Sequence, residues 1–266
     1  MSARTLRQIL VVAIIVVSAM FVAKQLAGSA LSMVRIEPVL IVIGSLAKLL
    51  TLLLAAIVSA RVAGAFGRGD ITRRAWLLLA GGLGALTCGQ AVLSYYQVVQ
   101  RIPSPFPSWA DVAFVLGYPL LILALLAFLR AFSASGFPTD GQSGTAVMLI
   151  LTAMILGALV ISPIVTSPGA PLQKTLNVVY PILDLILAIP AVLLLRSSLR
   201  FRGGMVWKVW AALMVGILFT AAGDILFAWF NVLGQTHLDA AIDAVYILGN
   251  GCLAIGALYQ SELLES

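Results

Sequence analysis

The chain has 266 residues, 62% of them hydrophobic and only 10% charged, with a mean hydropathy of +1.10. A soluble domain carries roughly 25% charged residues, so the composition excludes one and points to an all-α, polytopic protein whose first partner is the lipid bilayer. The net charge of +6 would suggest nucleic acid in a soluble protein; in a membrane protein it more often records Lys and Arg on the cytoplasmic side, and no nucleic-acid partner is expected.

In chain order, apolar runs of bilayer-crossing length are expected near residues 8–28, 38–61, 74–98, 110–132, 144–164, 175–197, 206–231 and 240–261. Arg4 and Arg7 ahead of Ile9–Ala23 imitate a signal peptide, but are read as the flank of an uncleaved first span. The connectors are short and punctuated by Gly, Pro and Ser, which makes neighbouring spans antiparallel. No remaining stretch is long and polar enough for a soluble domain. Cys88 and Cys252 both lie in apolar segments, so no disulfide framework is expected.

Basic residues set the orientation. With the N-terminus cytoplasmic, that side holds Arg4, Arg7, Arg61, Arg68, Arg73, Arg74, Arg130, Arg196, Arg200, Arg202 and Lys208. The other side holds Lys24, Arg35, Arg101 and Lys174, with Lys48 inside a span. Both termini are therefore expected in the cytoplasm.

The stretch Pro103–Leu126 turns a proline-stiffened loop into an apolar helix, and Ile242–Leu258 resembles it. Both contain Asp-x-x-aromatic-x-Leu-Gly: Asp111, Phe114, Leu116 and Gly117 against Asp243, Tyr246, Leu248 and Gly249. Gly89-Gln90 in the third span likewise matches Gly223-Asp224 in the seventh. Two four-helix repeats are expected, residues 1–133 and 143–266. With an even number of spans each, they would be parallel repeats about an axis along the membrane normal.

Polar groups inside spans are costly and face protein or water. Lys48 lies ten residues beyond Pro38, about 15 Å deep at the helical rise. Asp224 continues a row of small residues, Ala212, Gly216 and Thr220, which directs its carboxylate into the bundle. Asn177, Tyr180 and Asp184 share one helical face, as do Thr87, Gln90 and Ser94. Asp111 with Tyr118, and Asp243 with Asn250, repeat the same seven-residue spacing. Lys48 is expected to pair with Asp184 or Asp224. The set Lys48, Gln90, Asp111, Tyr118, Tyr180, Asp184, Asp224, Asp243 and Asn250 reads as a structural hydrogen-bond network, as the lining of a ligand pocket, or as an ion path. His237-x-Asp239 with Asp243 imitates a metal constellation, but no metal site is expected, and nothing in the sequence names a cofactor. Tyr95, Tyr96, Trp109, Trp229 and Phe230 are read as an interfacial aromatic belt.

These landmarks carry a resemblance. Pro105-Phe-Pro-Ser-Trp-Ala-Asp-Val-Ala-Phe-Val-Leu-Gly-Tyr-Pro119 resembles the hallmark of multi-span bacterial membrane domains found upstream of GGDEF-type diguanylate cyclases. Tyr180-Pro-Ile-Leu-Asp184, Gly223-Asp224 and Asp243-x-x-Tyr-x-Leu-Gly249 are similar to that family's later landmarks, in the same order. Gln90 departs from the family's usual Asp, Asn250 departs from its usual Tyr, and no output domain follows to Ser266. The resemblance implies a non-enzymatic, sensor-like protein of the bacterial inner membrane. Without a fused enzyme, it is expected to act through a non-covalent partner or as an accessory subunit. A more distant similarity, carried by Lys48-Leu-Leu-Thr and Gly223-Asp224, is to eight-span lysoplasmalogenase-like hydrolases, and an intramembrane hydrolase is the alternative.

Overall fold

The computed structural model describes residues 2–27, 37–134, 142–166, 170–233 and 239–265; their regular structure is helical, with no strand among them. The helices are α1 (Ala3–Ala27), α2 (Glu37–Gly64), α3 (Ile71–Ser94), α4 (Trp109–Ala134), α5 (Gln142–Thr166), α6 (Pro171–Ser198), α7 (Met205–Leu233) and α8 (Asp239–Glu265). Seven are long and apolar enough to cross a membrane, while α5 contributes a shorter apolar run, Ser143–Leu159. The chain is therefore built as a polytopic membrane protein. Apolar side chains exposed all along α1, α2 and α5 fit a lipid surround.

The local signals that begin these helices are chemical. Asp70 caps α3 by accepting the Thr72 amide at 2.7 Å, relieving one of the unpaired donors of a first turn. Ser108 and Asp111 form a capping box at α4. The Ser108 hydroxyl accepts the Ala110 amide, and Asp111 Oδ2 accepts the Ser108 amide at 2.6 Å. α3 runs on into a π-helical turn, Tyr95–Gln100, ending at Arg101 with φ 55°. That wider turn places Gln97 where its carbonyl accepts the Ser45 hydroxyl of α2.

Six helices close a ring by neighbour contacts, in the order α2, α3, α4, α6, α7, α8 and back to α2. α1 lies outside the ring against α8, and α5 lies outside it against α6. One end of the ring is filled. Trp76, Phe128 and Trp210 stack edge to face there, with centroids 5.3 and 4.8 Å apart. Leu79, Leu125, Leu194, Leu213 and Leu258 complete a core drawn from both halves of the chain. This is the end rich in Arg and Lys.

Two helix crossings are built alike, both on glycine. A Cβ on Gly82 would lie 3.2 Å from the Gly117 carbonyl, and one on Gly117 would lie 3.3 Å from the Gly82 carbonyl. Gly216 and Gly249 repeat this between α7 and α8, at 2.9 and 3.2 Å. Only glycine permits such close backbone approach. Two turns further along α3 and α7, Gly89 faces the Phe114 ring and Gly223 faces the Tyr246 ring.

Candidate functional site

The unfilled end of the ring holds a cavity of about 1310 Å³. All nine sequence-predicted residues line it: Lys48 from α2, Gln90 from α3, Asp111 and Tyr118 from α4, Tyr180 and Asp184 from α6, Asp224 from α7, and Asp243 and Asn250 from α8. The spacing along each helix places them in a polar belt. Below the belt, toward the filled end, each ring helix supplies an apolar side chain: Leu52, Leu83, Leu121, Leu187, Ile217 and Leu253. These lie three, four or seven residues from a belt residue, so helical periodicity stacks floor under belt. At the mouth stand Lys24 and Glu37, paired at 3.2 Å, together with Arg101 and the loop 102–108.

The belt divides into three linked groups. The first corrects the sequence expectation for Lys48. Its ammonium pairs with Asp243 Oδ1 at 2.6 Å, not with Asp184 or Asp224. Ring order is the reason: α8 is a direct neighbour of α2, whereas α6 and α7 are not. Asp243 lies nearer its helix start than the depth of Lys48 would suggest, and the lysine stem spans that offset by reaching outward.

In the second group, Asp111 Oδ1 accepts the Tyr180 hydroxyl at 2.7 Å while Oδ2 holds the capping box. Asp111 thus ties α4 to α6 as Asp243 ties α8 to α2. Each repeated motif supplies the carboxylate of a contact between the two halves.

The third group is the most concentrated. The Tyr118 hydroxyl lies 2.6 Å from Asp184 Oδ1 and 2.8 Å from Asp224 Oδ2. The Tyr246 hydroxyl donates to Asp224 Oδ1. Asp184 is 2% exposed and its Oδ2 has no hydrogen-bond partner among the described residues, whereas Asp224 keeps partial exposure. Two carboxyls joined through one phenol can bind a cation, share a proton, or serve as an acid–base pair.

Gln90 is buried and donates to Ser94 at 3.3 Å, and Thr87 returns its hydroxyl to the Leu83 carbonyl. Asn177 and Asn250 are buried at the cavity wall. Sequence reasoning passed over Tyr246 as a hydrogen-bond donor, although its place three residues after Asp243 put it on the belt. It also passed over Arg7, whose guanidinium grips Glu262 through Nε and Nη2 at 2.6 and 3.2 Å and lies 4.2 Å above the Tyr259 ring. This contact fastens α1 to α8 at the filled end. Tyr95 and Trp109 lie exposed at the cavity end, whereas Trp229 packs around Ala228. His237 falls outside the described residues; among those described, no three His, Cys, Asp or Glu side chains gather to hold a metal ion.

No protein-family model, no curated protein and no solved structure matches the chain.

Proposed function

We propose that this chain is a non-enzymatic, sensor-like membrane protein that binds an amphiphile in the ring cavity. Occupancy would pass through α8 to a non-covalently bound protein partner. The carrying observation is a cavity with a polar belt above an apolar floor. That layering suits a molecule with a polar head and an alkyl tail, and the aromatic core below it favours retention over passage. α8 is the candidate transmitter because it carries Asp243, Tyr246, Asn250 and Leu253 at the cavity and Glu262 at the far end.

The finer architecture belongs to the same proposal. Counting α5 as a span makes eight, arranged as two parallel repeats in the bacterial inner membrane with both termini cytoplasmic. The paired glycine crossings support the repeat, and the basic residues at the filled end support the orientation. Cysteines placed at Gly67 and Phe201 should be shielded from an impermeant external reagent, and one at Gln173 should label; labelling at Gly67 in sealed cells would reverse the orientation.

Function is tested by extracting the chain in lipid nanodiscs and identifying retained amphiphiles by mass spectrometry. Leu83→Trp or Leu187→Trp, which fill the floor, should abolish retention without unfolding the chain. Unchanged retention in both refutes the cavity as the binding site. The bridged carboxyls Asp184 and Asp224 favour one second reading, a lysoplasmalogenase-like hydrolase. It requires that a retained lipid be consumed and that Asp184→Asn stop its consumption.

A further inference from the structure

Tyr118 has one hydroxyl hydrogen and two carboxyl oxygens within hydrogen-bond distance. It can donate to only one of them. The other short contact requires a hydrogen supplied by the carboxyl itself, so the trio holds a proton beyond the one on the phenol.

Geometry says where that proton sits. Asp224 has a donor at each oxygen, Tyr246 at Oδ1 and Tyr118 at Oδ2, as suits a carboxylate. Asp184 has one contact and a buried, unpartnered Oδ2. An ionised oxygen left unpaired in the interior costs far more than the carbonyl oxygen of a neutral acid. The hydrogen bonds therefore run one way, from the Asp184 acid to the Tyr118 oxygen, and from the Tyr118 hydrogen to the Asp224 carboxylate.

Among the described residues of the belt, none offers the trio a free cation. Lys48 on α2 is taken by Asp243 on α8. Asp111 on α4 is held by Tyr180 on α6, and α3 presents the uncharged Gln90. The cavity belt thus carries four carboxyls against one lysine.

Resting on the reading that the cavity takes an amphiphile, we infer that its ligand is cationic: an alkylammonium whose head displaces the proton shared by Asp184, Tyr118 and Asp224. The charge balances, one proton leaving Asp184 through the mouth for one ammonium entering. The carboxylate left on Asp184 turns about its Cβ–Cγ bond to meet the head, and the alkyl chain lies on the leucine floor.

The test is calorimetric binding of dodecylamine and dodecanol to the full chain in nanodiscs, at a pH where the amine is charged, in two buffers of different ionisation enthalpy. Wild type should release about one proton per amine bound, and none with the alcohol. Asp184→Asn imitates the neutral acid, since its amide hydrogen also reaches Tyr118, so its thermal midpoint should be unchanged. Its amine affinity should fall about tenfold or more, a difference of about 1.4 kcal/mol, with alcohol binding retained. Amine binding without proton release by wild type, which needs no variant to measure, overturns the exchange, as does undiminished amine affinity in Asp184→Asn. Alcohol binding without amine binding overturns the cationic ligand and leaves the cavity reading standing. Binding of neither probe overturns both.

Discussion

Cutting the Lys48–Asp243 pair from each side should give unequal losses, and the inequality follows from burial. The Lys48 side chain is 9% exposed and that of Asp243 is 31% exposed. Removing one partner of a buried pair costs about 3–5 kcal/mol, because the survivor is left charged and dry. Asp243→Asn strands a lysine with little water, so its cost falls near the lower end, about 3 kcal/mol. Lys48→Met strands a carboxylate that already touches the cavity, and solvent screening reduces the loss to about 1–2 kcal/mol. The double substitution removes both charges and should recover most of the larger loss. A coupling of at least about 1.5 kcal/mol is then expected from the double-mutant cycle. Denaturant unfolding in mild detergent, followed by tryptophan fluorescence, measures it. If the two losses simply add, or if Lys48→Met proves the costlier change, the pairing or the burial argument is wrong.

Glycine substitutions should rank by what a new Cβ meets. Gly216→Ala would press within 2.8 Å of backbone and should cost about 2–3 kcal/mol as overpacking; Gly82→Ala meets the Leu121 side chain first, with backbone no nearer than 3.2 Å, and should cost less; Gly84→Ala meets nothing within 4 Å and should be neutral. Thermal midpoints read in any other order would refute the crossing geometry. At the filled end, Arg7→Lys should lose stability nearly as Arg7→Ala does, about 1 kcal/mol, because only a planar guanidinium can grip Glu262 with two nitrogens. Full retention of the thermal midpoint in Arg7→Lys would show that charge alone suffices.

Fold class was legible because the bilayer imposes a simple rule on composition and length, and the helix positions followed from runs of apolar residues. Cavity residues were legible for a related reason. A charge such as Lys48 or Asp184 inside a span must face protein or water, so each inward-facing polar residue marks the ring interior. Pairing was not legible, because it depends on which helices are neighbours. The α2–α8 contact that carries Lys48 to Asp243 joins elements nearly 200 residues apart in the chain, and no local pattern announces it. Tyr246 was missed for a different reason: an aromatic within an apolar helix looks like packing until a carboxylate is found opposite its hydroxyl.

The same site offers a direct test of the proposed repeat. At Gly223-Asp224 and Tyr246, a glycine admits an aromatic ring whose hydroxyl reaches the neighbouring carboxylate. At Gly89-Gln90 and Phe114 the glycine admits the ring in the same way, but the ring lacks a hydroxyl and the acid is an amide. Acid and phenol are absent together, as expected if each is tolerable only with the other. Gln90→Asp alone should therefore destabilise by about 1–3 kcal/mol, because Gln90 is only 6% exposed and the new group would be buried without a strong donor. Phe114→Tyr alone places a hydroxyl near Gln90 and should be close to neutral. Together they rebuild the arrangement of the second half, and the added hydrogen bond to a charged group should return about 1.5–3 kcal/mol. Unfolding midpoints of the four chains decide the matter. If Phe114→Tyr brings no recovery to Gln90→Asp, the two halves do not place these side chains alike and the repeat fails at its best-defined position.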